Sequence, residues 1–298
     1  RNILFRIARS VFNNAPAIEL IYDFFRKRVF LSYSRLNRWG NDWICCRTFL
    51  TSKHYKLLQS MLHDSDVLYF YWGVGAATII PFLSVPNKIV LRLHGGDAWP
   101  KINNRVNYLP LRQKIYSRTN LILTISEGLK KHLEQKYSNI SLGERIIVSR
   151  LGTKDKGQNP QCYTDELILV SCSNLIPLKR VEKIIDTLMQ MNDIPLQWHH
   201  FGSGPVFNTI RAMSIKLPGN VRAIMHGQVS NDDILDFYIS NHVDLFINVS
   251  SSEGVPVSIM EALSAGIIVV ATNVGSTNEI VDNECGYLLD PKNVSAEL

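Results

Sequence analysis

The stretch that decides the fold reads Asp244-Leu-Phe-Ile-Asn-Val-Ser-Ser-Ser-Glu253-Gly254-Val-Pro-Val-Ser-Ile-Met-Glu261-Ala-Leu-Ser-Ala-Gly266. Its apolar start indicates a strand, and Pro256 stands where the first turn of a helix would begin. Glu253 and Glu261 frame that helix start. Free N–H groups and the positive dipole end at a helix N-terminus favour anions. The stretch therefore predicts strand, turn and helix around a site suited to a nucleoside diphosphate with a sugar attached.

From residue 67 onward, short Val/Ile/Leu runs alternate with helical patterns. Such runs are typical of strands buried on both faces, which indicates α/β architecture with a parallel sheet under helices. Right-handed crossovers then give doubly wound sheets. The predicted strands are 67–72, 88–93, 120–125, 145–149, 167–173, 196–201, 221–226, 243–249 and 267–272, and the predicted helices of the first half are 76–83, 111–117 and 128–137.

The length of 298 residues allows two domains with separate cores. The segment from Gly152 to Glu166 is polar and contains two glycines and one proline. This composition is typical of a linker. We therefore predict a first Rossmann-like domain over 1–152, a linker over 153–166 and a second Rossmann-like domain over 167–298. We expect the first domain to be incomplete at its start and the second to be incomplete at its end.

Further motifs stand in a fixed order along the chain. They are His94-Gly-Gly-Asp97, Ser149-Arg150-Leu-Gly-Thr153, Asn174-Leu-Ile-Pro-Leu-Lys179, Phe201-Gly-Ser-Gly-Pro205 and the stretch Ile267-Ile-Val-Val-Ala-Thr-Asn-Val-Gly-Ser-Thr-Asn-Glu279. Together with the Glu253-x7-Glu261 pattern they resemble retaining glycosyltransferases of family 4, the glycosyl transferases group 1. The resemblance covers roughly residues 67–290. It implies the GT-B fold, in which two Rossmann-like domains face a cleft and the donor is held mainly by the second.

The resemblance also implies a reaction. A hexose would pass from a nucleotide-sugar to a hydroxyl of a glycan or lipid-linked acceptor, with retention, in polysaccharide or lipopolysaccharide biosynthesis. Two alternatives stay open: a nucleotide-sugar epimerase of the same fold, and a non-catalytic nucleotide-sugar-binding subunit.

The leaving nucleoside diphosphate gains negative charge, so its departure needs fixed positive charge nearby. Lys179 follows predicted strand 167–173, at the strand end where open parallel sheets bind ligands, and is the predicted diphosphate contact. The family usually has arginine where this chain has Asn174, and glycine where it has Arg180. We hypothesise that Arg180 supplies the charge missing at Asn174.

By resemblance, Glu253 holds a hydroxyl of the transferred sugar. The amides of Gly254 and Val255 meet sugar or phosphate oxygens, and Glu261 binds the ribose hydroxyls. The glycine-rich turn Gly202, Ser203 and Gly204 would let the backbone approach the ligand, although an ordinary tight turn would look the same.

The resemblance implies that His94 of the first domain faces the donor sugar. His94 is therefore a third predicted catalytic residue, in addition to Lys179 and Glu253. Asp97 either caps the next segment or touches the acceptor, and Arg150 is a candidate phosphate contact. The Asp64-Ser65-Asp66 pattern precedes a strand rather than following it, so it is interpreted as a loop. We therefore expect metal-independent transfer without a cofactor.

Residues 1–60 contain eleven Lys/Arg, three acidic residues and eight Phe or Trp, within a chain of net charge +6. Basic residues interleaved with aromatics favour contact with an anionic membrane surface, and a solvated helical face is the alternative. Nucleic-acid modules are not recognisable. Five cysteines without framework spacing indicate reduced thiols. We expect a cytoplasmic protein, peripheral on the membrane if the basic segment binds lipid.

Overall fold

The computed structural model describes residues 16–99, 101–102, 105–106, 108–162 and 164–298. The chain divides into two compact units, Arg1–Arg150 and Leu151–Leu298. The first fifteen residues of the predicted basic segment, including Arg1, Arg6 and Arg9, lie outside the described part of the chain.

The first unit begins with helices and continues as a four-stranded parallel sheet in the order β1-β2-β5-β6. Its elements are α1 (Pro16–Arg26), α2 (Tyr33–Leu50), α3 (Lys53–Met61), β1 (Val67–Phe70), β2 (Lys88–Leu93), β3 (Lys101–Ile102), β4 (Arg105–Val106), α4 (Arg112–Arg118), β5 (Leu121–Thr124), α5 (Glu127–Lys136) and β6 (Ile146–Val148). Short 3₁₀ helices cover Val29–Leu31, Gly75–Phe82, Ser138–Ile140 and Gly143–Arg145. One hydrophobic core joins the helices to the sheet.

The second unit is a six-stranded parallel sheet in the order β12-β11-β10-β7-β8-β9. Its elements are β7 (Leu167–Cys172), α6 (Glu182–Leu188), β8 (Leu196–Phe201), α7 (Phe207–Ser214), β9 (Val221–Gly227), α8 (Asn231–Ser240), β10 (Leu245–Asn248), α9 (Val257–Ser264), β11 (Ile268–Thr272), β12 (Gly286–Leu289) and α10 (Val294–Glu297), with 3₁₀ helices at Pro177–Lys179 and Thr277–Glu279. Neighbouring residues of β7, Leu169 and Val170, belong to two different cores. Because side chains alternate along a strand, each face of the sheet carries its own core.

The predicted α/β architecture with two parallel sheets is confirmed, and every predicted strand is present. β2 and β8 match their predicted bounds, and the other predicted strands differ at their ends by one or two residues. The predicted helix 76–83 is instead a 3₁₀ helix containing Pro81, which removes a donor that an α-helix would need.

The predicted linker 153–166 packs against the second unit. Asn159 is buried, and its side-chain amide donates to the carbonyls of Tyr238 (2.6 Å) and Asn241 (2.8 Å). Lys156 pairs with Asp236 at 2.7 Å. Lys154 also pairs with Asp232 at 2.8 Å, so the segment contacts α8 along its length.

Candidate active site

Lys179 and Glu253 lie at the same edge of the second sheet. Lys179 ends the 3₁₀ helix after β7, and Glu253 follows β10, which pairs with β7 in parallel. The Leu178 carbonyl accepts hydrogen bonds from both the backbone N–H (2.9 Å) and the hydroxyl (3.1 Å) of Ser251. These bonds tie the two strand ends together and fix the loops that carry both side chains.

The two side chains form an ion pair. Lys179 Nζ lies 2.6 Å from Glu253 Oε1, and the side chains are 20% and 11% exposed. Asn248, at the end of β10, donates from Nδ2 to the same carboxylate oxygen at 3.5 Å. Asn248 is buried. The sequence did not single it out as a site residue, because a lone Asn at the end of an apolar strand is common and does not by itself indicate a site. The site thus holds one ammonium and one carboxylate, shielded from most of the solvent.

The side chain of Arg180 hydrogen-bonds to backbone carbonyls and not to Glu253. Its backbone is left-handed (φ 48°), and its guanidinium donates to the carbonyls of Val249 (2.8 Å), Ser250 (3.1 Å) and Pro291 (3.3 Å). Burial lowers the pKa of this group. Arg180 therefore connects the loops that follow β7, β10 and β12, and this use of its N–H groups gives no support to the hypothesis that it replaces a phosphate-binding arginine. Asn174, the position of the missing arginine, is exposed.

The glycines of the turn after β8 have a structural reason. A Cβ on Gly202 (φ 135°) would lie 1.9 Å from the Ser173 carbonyl oxygen, and a Cβ on Gly204 would lie 2.5 Å from that of Leu175. Ser203 accepts a backbone hydrogen bond from Leu175 at 2.9 Å. Close packing of two loops requires these glycines, so their presence alone does not indicate a ligand.

The loop after Glu253 rests on residues that follow β11. The Gly254 carbonyl accepts from the backbone N–H of Ser276 at 2.9 Å, and Val255 is buried. A Cβ on Gly275 (φ 61°) would lie 1.9 Å from the Glu253 carbonyl oxygen. Gly275 thus supports the candidate site, a role that the sequence did not reveal.

Glu261 is buried at 6% exposure in α9. Asn231, at the start of α8, donates to Glu261 Oε1 at 2.7 Å. Burial raises the pKa of this carboxyl, while the Asn231 hydrogen bond lowers it. Burial also raises the pKa of the neighbouring Cys172 thiol to about 12, with the charges of Glu261 and Lys179 acting on it in opposite directions. Glu261 and Lys179 therefore lie near one thiol at the end of β7.

In the first unit, His94 and Asp97 belong to one clasp. Asp97 is buried, and its two carboxylate oxygens accept backbone hydrogen bonds from His94 and Gly73, each at 2.8 Å. These bonds hold the ends of β1 and β2 together, and neither of them caps the segment that follows Asp97. His94 Nε2 lies 2.9 Å from the Tyr71 carbonyl, which can only accept, so Nε2 carries the proton. Burial lowers the pKa of the imidazole, which leaves Nδ1 as an acceptor at neutral pH.

Two other positions singled out by the sequence, Arg150 and Asp66, make contacts within the first unit. Arg150 is exposed, and its carbonyl accepts from Arg92 at 3.3 Å. Asp66 accepts from the backbone N–H of His63 at 2.8 Å in the turn before β1. Within the described residues, no group of three or more His, Cys, Asp or Glu is arranged to hold a metal ion. In the same part of the chain, none of the helices is both long and apolar enough to cross a bilayer.

A family model matches the unit that carries the candidate site. Residues 153–297 match the model described as glycosyl transferases group 1. The second unit is a glycosyl transferases group 1 domain. This finding confirms the resemblance to glycosyl transferases group 1, and the matched segment includes Lys179, Glu253 and Glu261.

The matches to curated relatives extend over both units. The chain is 24% identical over 257 residues to TuaC of Bacillus subtilis (strain 168), a relative named as a glycosyltransferase of teichuronic acid biosynthesis; the match covers 83% of this chain and 61% of TuaC. It is 18% identical to the lipopolysaccharide outer core galactosyltransferase WaaB in its apo form (TM-score 0.62), with 89% of this chain and 70% of that chain covered. HepE of Anabaena, in complex with UDP-glucose, is 17% identical (TM-score 0.60), with coverage of 84% and 71%.

These likenesses show the fold. They confirm the predicted GT-B class for a chain whose two units are both parallel α/β structures. The chain spans about half to three fifths of the length of the curated relatives it matches first, with 61%, 54% and 56% of their lengths covered.

Proposed function

We propose that this chain belongs to a glycosyltransferase that moves a hexose from a nucleoside diphosphate sugar to a hydroxyl of a glycan or lipid-linked acceptor. The observation that carries the proposal is the shielded Lys179–Glu253 ion pair at 2.6 Å, at the carboxyl ends of β7 and β10 in a group 1 domain. Ligands of open parallel sheets bind at this edge. HepE, which shares the fold, was solved with UDP-glucose, which supports a uridine nucleotide as the first donor to test.

The ion pair supplies the two charges that such a donor needs. A diphosphate entering beside Lys179 offers its ammonium several oxygens, so the ammonium exchanges Glu253 for phosphate. The released carboxylate is an acceptor only, which suits the hydroxyl of a sugar. Charge-assisted hydrogen bonds of this kind contribute about 1.5–3 kcal/mol each. Lys179 then stabilises the charge that develops on the leaving diphosphate.

Glu261 is proposed to bind the ribose. Its Oε1 is held by Asn231 at 2.7 Å, which orients the carboxylate and leaves lone pairs for ribose hydroxyls. The backbone at Gly254 and Val255 is proposed to meet sugar or phosphate oxygens. The start of α9, which has no side-chain cap at Pro256, adds its dipole to the positive charge of Lys179.

The proposed transfer retains the anomeric configuration and needs no metal. Burial keeps the Cys172 thiol protonated, with a pKa of about 12, so a thiolate is not available as nucleophile at neutral pH. Retention is proposed to arise from attack by the acceptor hydroxyl on the face from which the diphosphate leaves. The Lys179 ammonium is proposed to do the work of a divalent cation.

The first test is a thermal-shift panel of the full chain with UDP, GDP, ADP and their hexose derivatives. A ligand at about ten times its Kd should raise the Tm by roughly 3–6 °C. The shift should survive EDTA and be absent from Lys179→Ala. The chosen donor is then incubated with and without oligosaccharide acceptors, and the anomeric coupling of the product is read by NMR. Conversion of the sugar without acceptor would favour an epimerase, binding without any turnover would favour a non-catalytic subunit, and a requirement for added Mg²⁺ would refute metal independence.

We further propose that the helical part of the first unit meets an anionic membrane surface. Phe25, Phe30 and Leu31 are exposed beside Arg26, Lys27 and Arg28. Sedimentation with vesicles should show binding to phosphatidylglycerol-containing vesicles that is weakened in Phe25→Ser/Leu31→Ser. Equal sedimentation with neutral vesicles, or no effect of this double variant, would refute membrane contact.

A further inference from the structure

A pocket of about 710 Å³ lies wholly within the first unit. Its wall is built by α1, by the start of α4 and by the segment that ends α5. It shares no residue with the Lys179–Glu253 site or with the His94–Asp97 clasp. None of the motifs of the sequence analysis accounts for it.

The pocket is strongly basic. Its lining includes the six cationic residues Arg26, Lys27, Arg35, Arg112, Lys114 and Lys136. Asp23 is the single acidic residue among the described lining, and it accepts a hydrogen bond from the hydroxyl of Tyr108 at 2.7 Å. Six cations around one carboxylate concentrate a positive potential in a concave site, which draws anions.

The side chain of Arg112 lines the pocket and supplies its buried positive charge. It is only 5% exposed, and its Nη1 donates to the Gly73 carbonyl. Its Nε and Nη2 are buried and have no hydrogen-bond partner within the described structure. Buried donors normally have partners, because an unsatisfied buried donor destabilises the fold, and more so when it is charged.

The two unsatisfied atoms form one edge of the guanidinium. Nε–H and Nη2–H point the same way, so together they match two oxygens of one phosphate or carboxylate. The Asp42 carboxyl feels the charge of Arg112, but burial raises its pKa to about 6, and it accepts no hydrogen bond from either atom. The edge therefore has no hydrogen-bond partner among the described residues, and an anion that enters beside it could supply one.

Like charges in this pocket repel one another. The pKa of Lys136 is lowered by burial and then by the charges of Lys27 and Arg112. A bound dianion would offset the repulsion among these cations. The charge of the pocket is therefore more complementary to a multiply charged anion than to neutral water molecules. A carboxylate with one negative charge would compensate only a part of it.

We infer that this pocket binds a phosphate or diphosphate group, with the Nε–Nη2 edge of Arg112 holding two phosphate oxygens and Lys27 and Lys136 closing over the group. This site is additional to the nucleotide-sugar site proposed for the second unit, and it does not depend on that proposal. The phosphate belongs either to a soluble phosphate ester or to a lipid headgroup. The exposed Phe25, Phe30 and Leu31 on the neighbouring helical segment would suit the lipid.

The test is calorimetric titration of sodium pyrophosphate into the full chain, at an ionic strength held constant with NaCl. The Lys179→Ala background removes binding at the candidate donor site. In that background Lys27→Ala/Lys136→Ala should weaken pyrophosphate binding roughly tenfold or more. The matched control Lys53→Ala/Lys131→Ala removes two exposed lysines outside the pocket, one of them from α5 itself, and should change the Kd less than about twofold.

Arg112→Lys tests the role of the guanidinium, because it keeps the charge and removes the two-donor edge. It should weaken pyrophosphate binding at least as much as Lys27→Ala/Lys136→Ala does. If Arg112→Lys does not fold, the comparison of Lys27→Ala/Lys136→Ala with Lys53→Ala/Lys131→Ala still decides the question. Equal Kd values for these two double variants, or no pyrophosphate binding in the Lys179→Ala background, would overturn the inference.

Vesicles distinguish the two sources of the phosphate. Phosphatidylcholine vesicles with and without phosphatidic acid are sedimented with the Lys179→Ala chain. If pyrophosphate releases the chain from the phosphatidic acid vesicles, the pocket takes a lipid headgroup. If pyrophosphate binds but leaves vesicle association unchanged, it takes a soluble phosphate ester. Because neither arm uses a nucleotide-sugar, failure of the proposed transfer reaction would leave this result standing.

Discussion

Replacing Lys179 by alanine is expected to lower kcat/KM for sugar transfer by about 10²–10³-fold. The ammonium pairs with Glu253 at 2.6 Å while only 20% of its side chain is exposed. In such a shielded position a fixed charge acts more strongly than it would in water. Its removal withdraws the positive charge from a diphosphate that becomes more negative as it leaves. The measurement is initial velocity against donor concentration, because a group acting mainly in the transition state lowers kcat more than it raises KM.

Lys183→Ala is the matched control for this variant. Lys183 lies on α6, one turn beyond Lys179, and its Nζ donates to the Ser295 hydroxyl at 2.8 Å in an exposed position. Its removal should change kcat/KM by no more than about twofold. The Tm of both variants is measured as well, since Lys179→Ala also leaves the Glu253 carboxylate without its cation. If the two variants kept equal activity, the candidate site would not be the donor site.

The strands could be predicted because of their burial. Buried strands carry enough apolar residues to be visible in the sequence, so β2 and β8 appear at their observed bounds although they also contain polar residues such as Arg92 and Gln197. The antiparallel pair β3–β4 consists of two residues per strand, too short to leave a periodic pattern. The segment Gly75–Phe82 forms a 3₁₀ helix. It was expected to be an α-helix because its apolar composition does not distinguish the two kinds of helix.

The candidate site was predictable in its positions and less so in its contacts. The order of motifs indicates that Lys179 and Glu253 reach the same sheet edge, and the topology brings them together. The direction of Arg180 depends on carbonyls of Val249 and Pro291, 69 and 111 residues away. Such pairings are decided by how loops pack in the folded unit. For the same reason neither the hydrogen bond between Asn231 and Glu261 nor the buried edge of Arg112 could be inferred from the sequence.

Gly275→Ala is expected to destabilise the second unit by about 2–4 kcal/mol and to lower transfer activity with it. The backbone of Gly275 is left-handed (φ 61°), and an added Cβ would lie 1.9 Å from the Glu253 carbonyl oxygen and 3.1 Å from that of Gly254. A left-handed conformation costs a residue with a Cβ roughly 1–2 kcal/mol, and an overpacked contact costs about 1–3 kcal/mol. The contact is with backbone, so a side-chain rotation cannot relieve it.

The same substitution also tests how the carboxylate is positioned. Relief of the contact must move either Gly275 or the Glu253 backbone, and the Ser276–Gly254 hydrogen bond of 2.9 Å joins the two. We therefore expect Glu253 to shift, which weakens its pairing with Lys179 and raises the KM for the donor. Urea unfolding is followed for the transition that the nucleotide stabilises, since that transition belongs to the second unit. Gly219→Ala is the control, because an added Cβ there would have nothing within 4 Å and should change stability by less than about 0.5 kcal/mol. Equal unfolding midpoints for the two variants would show that the Glu253 loop does not depend on Gly275, and its geometry would then need another support.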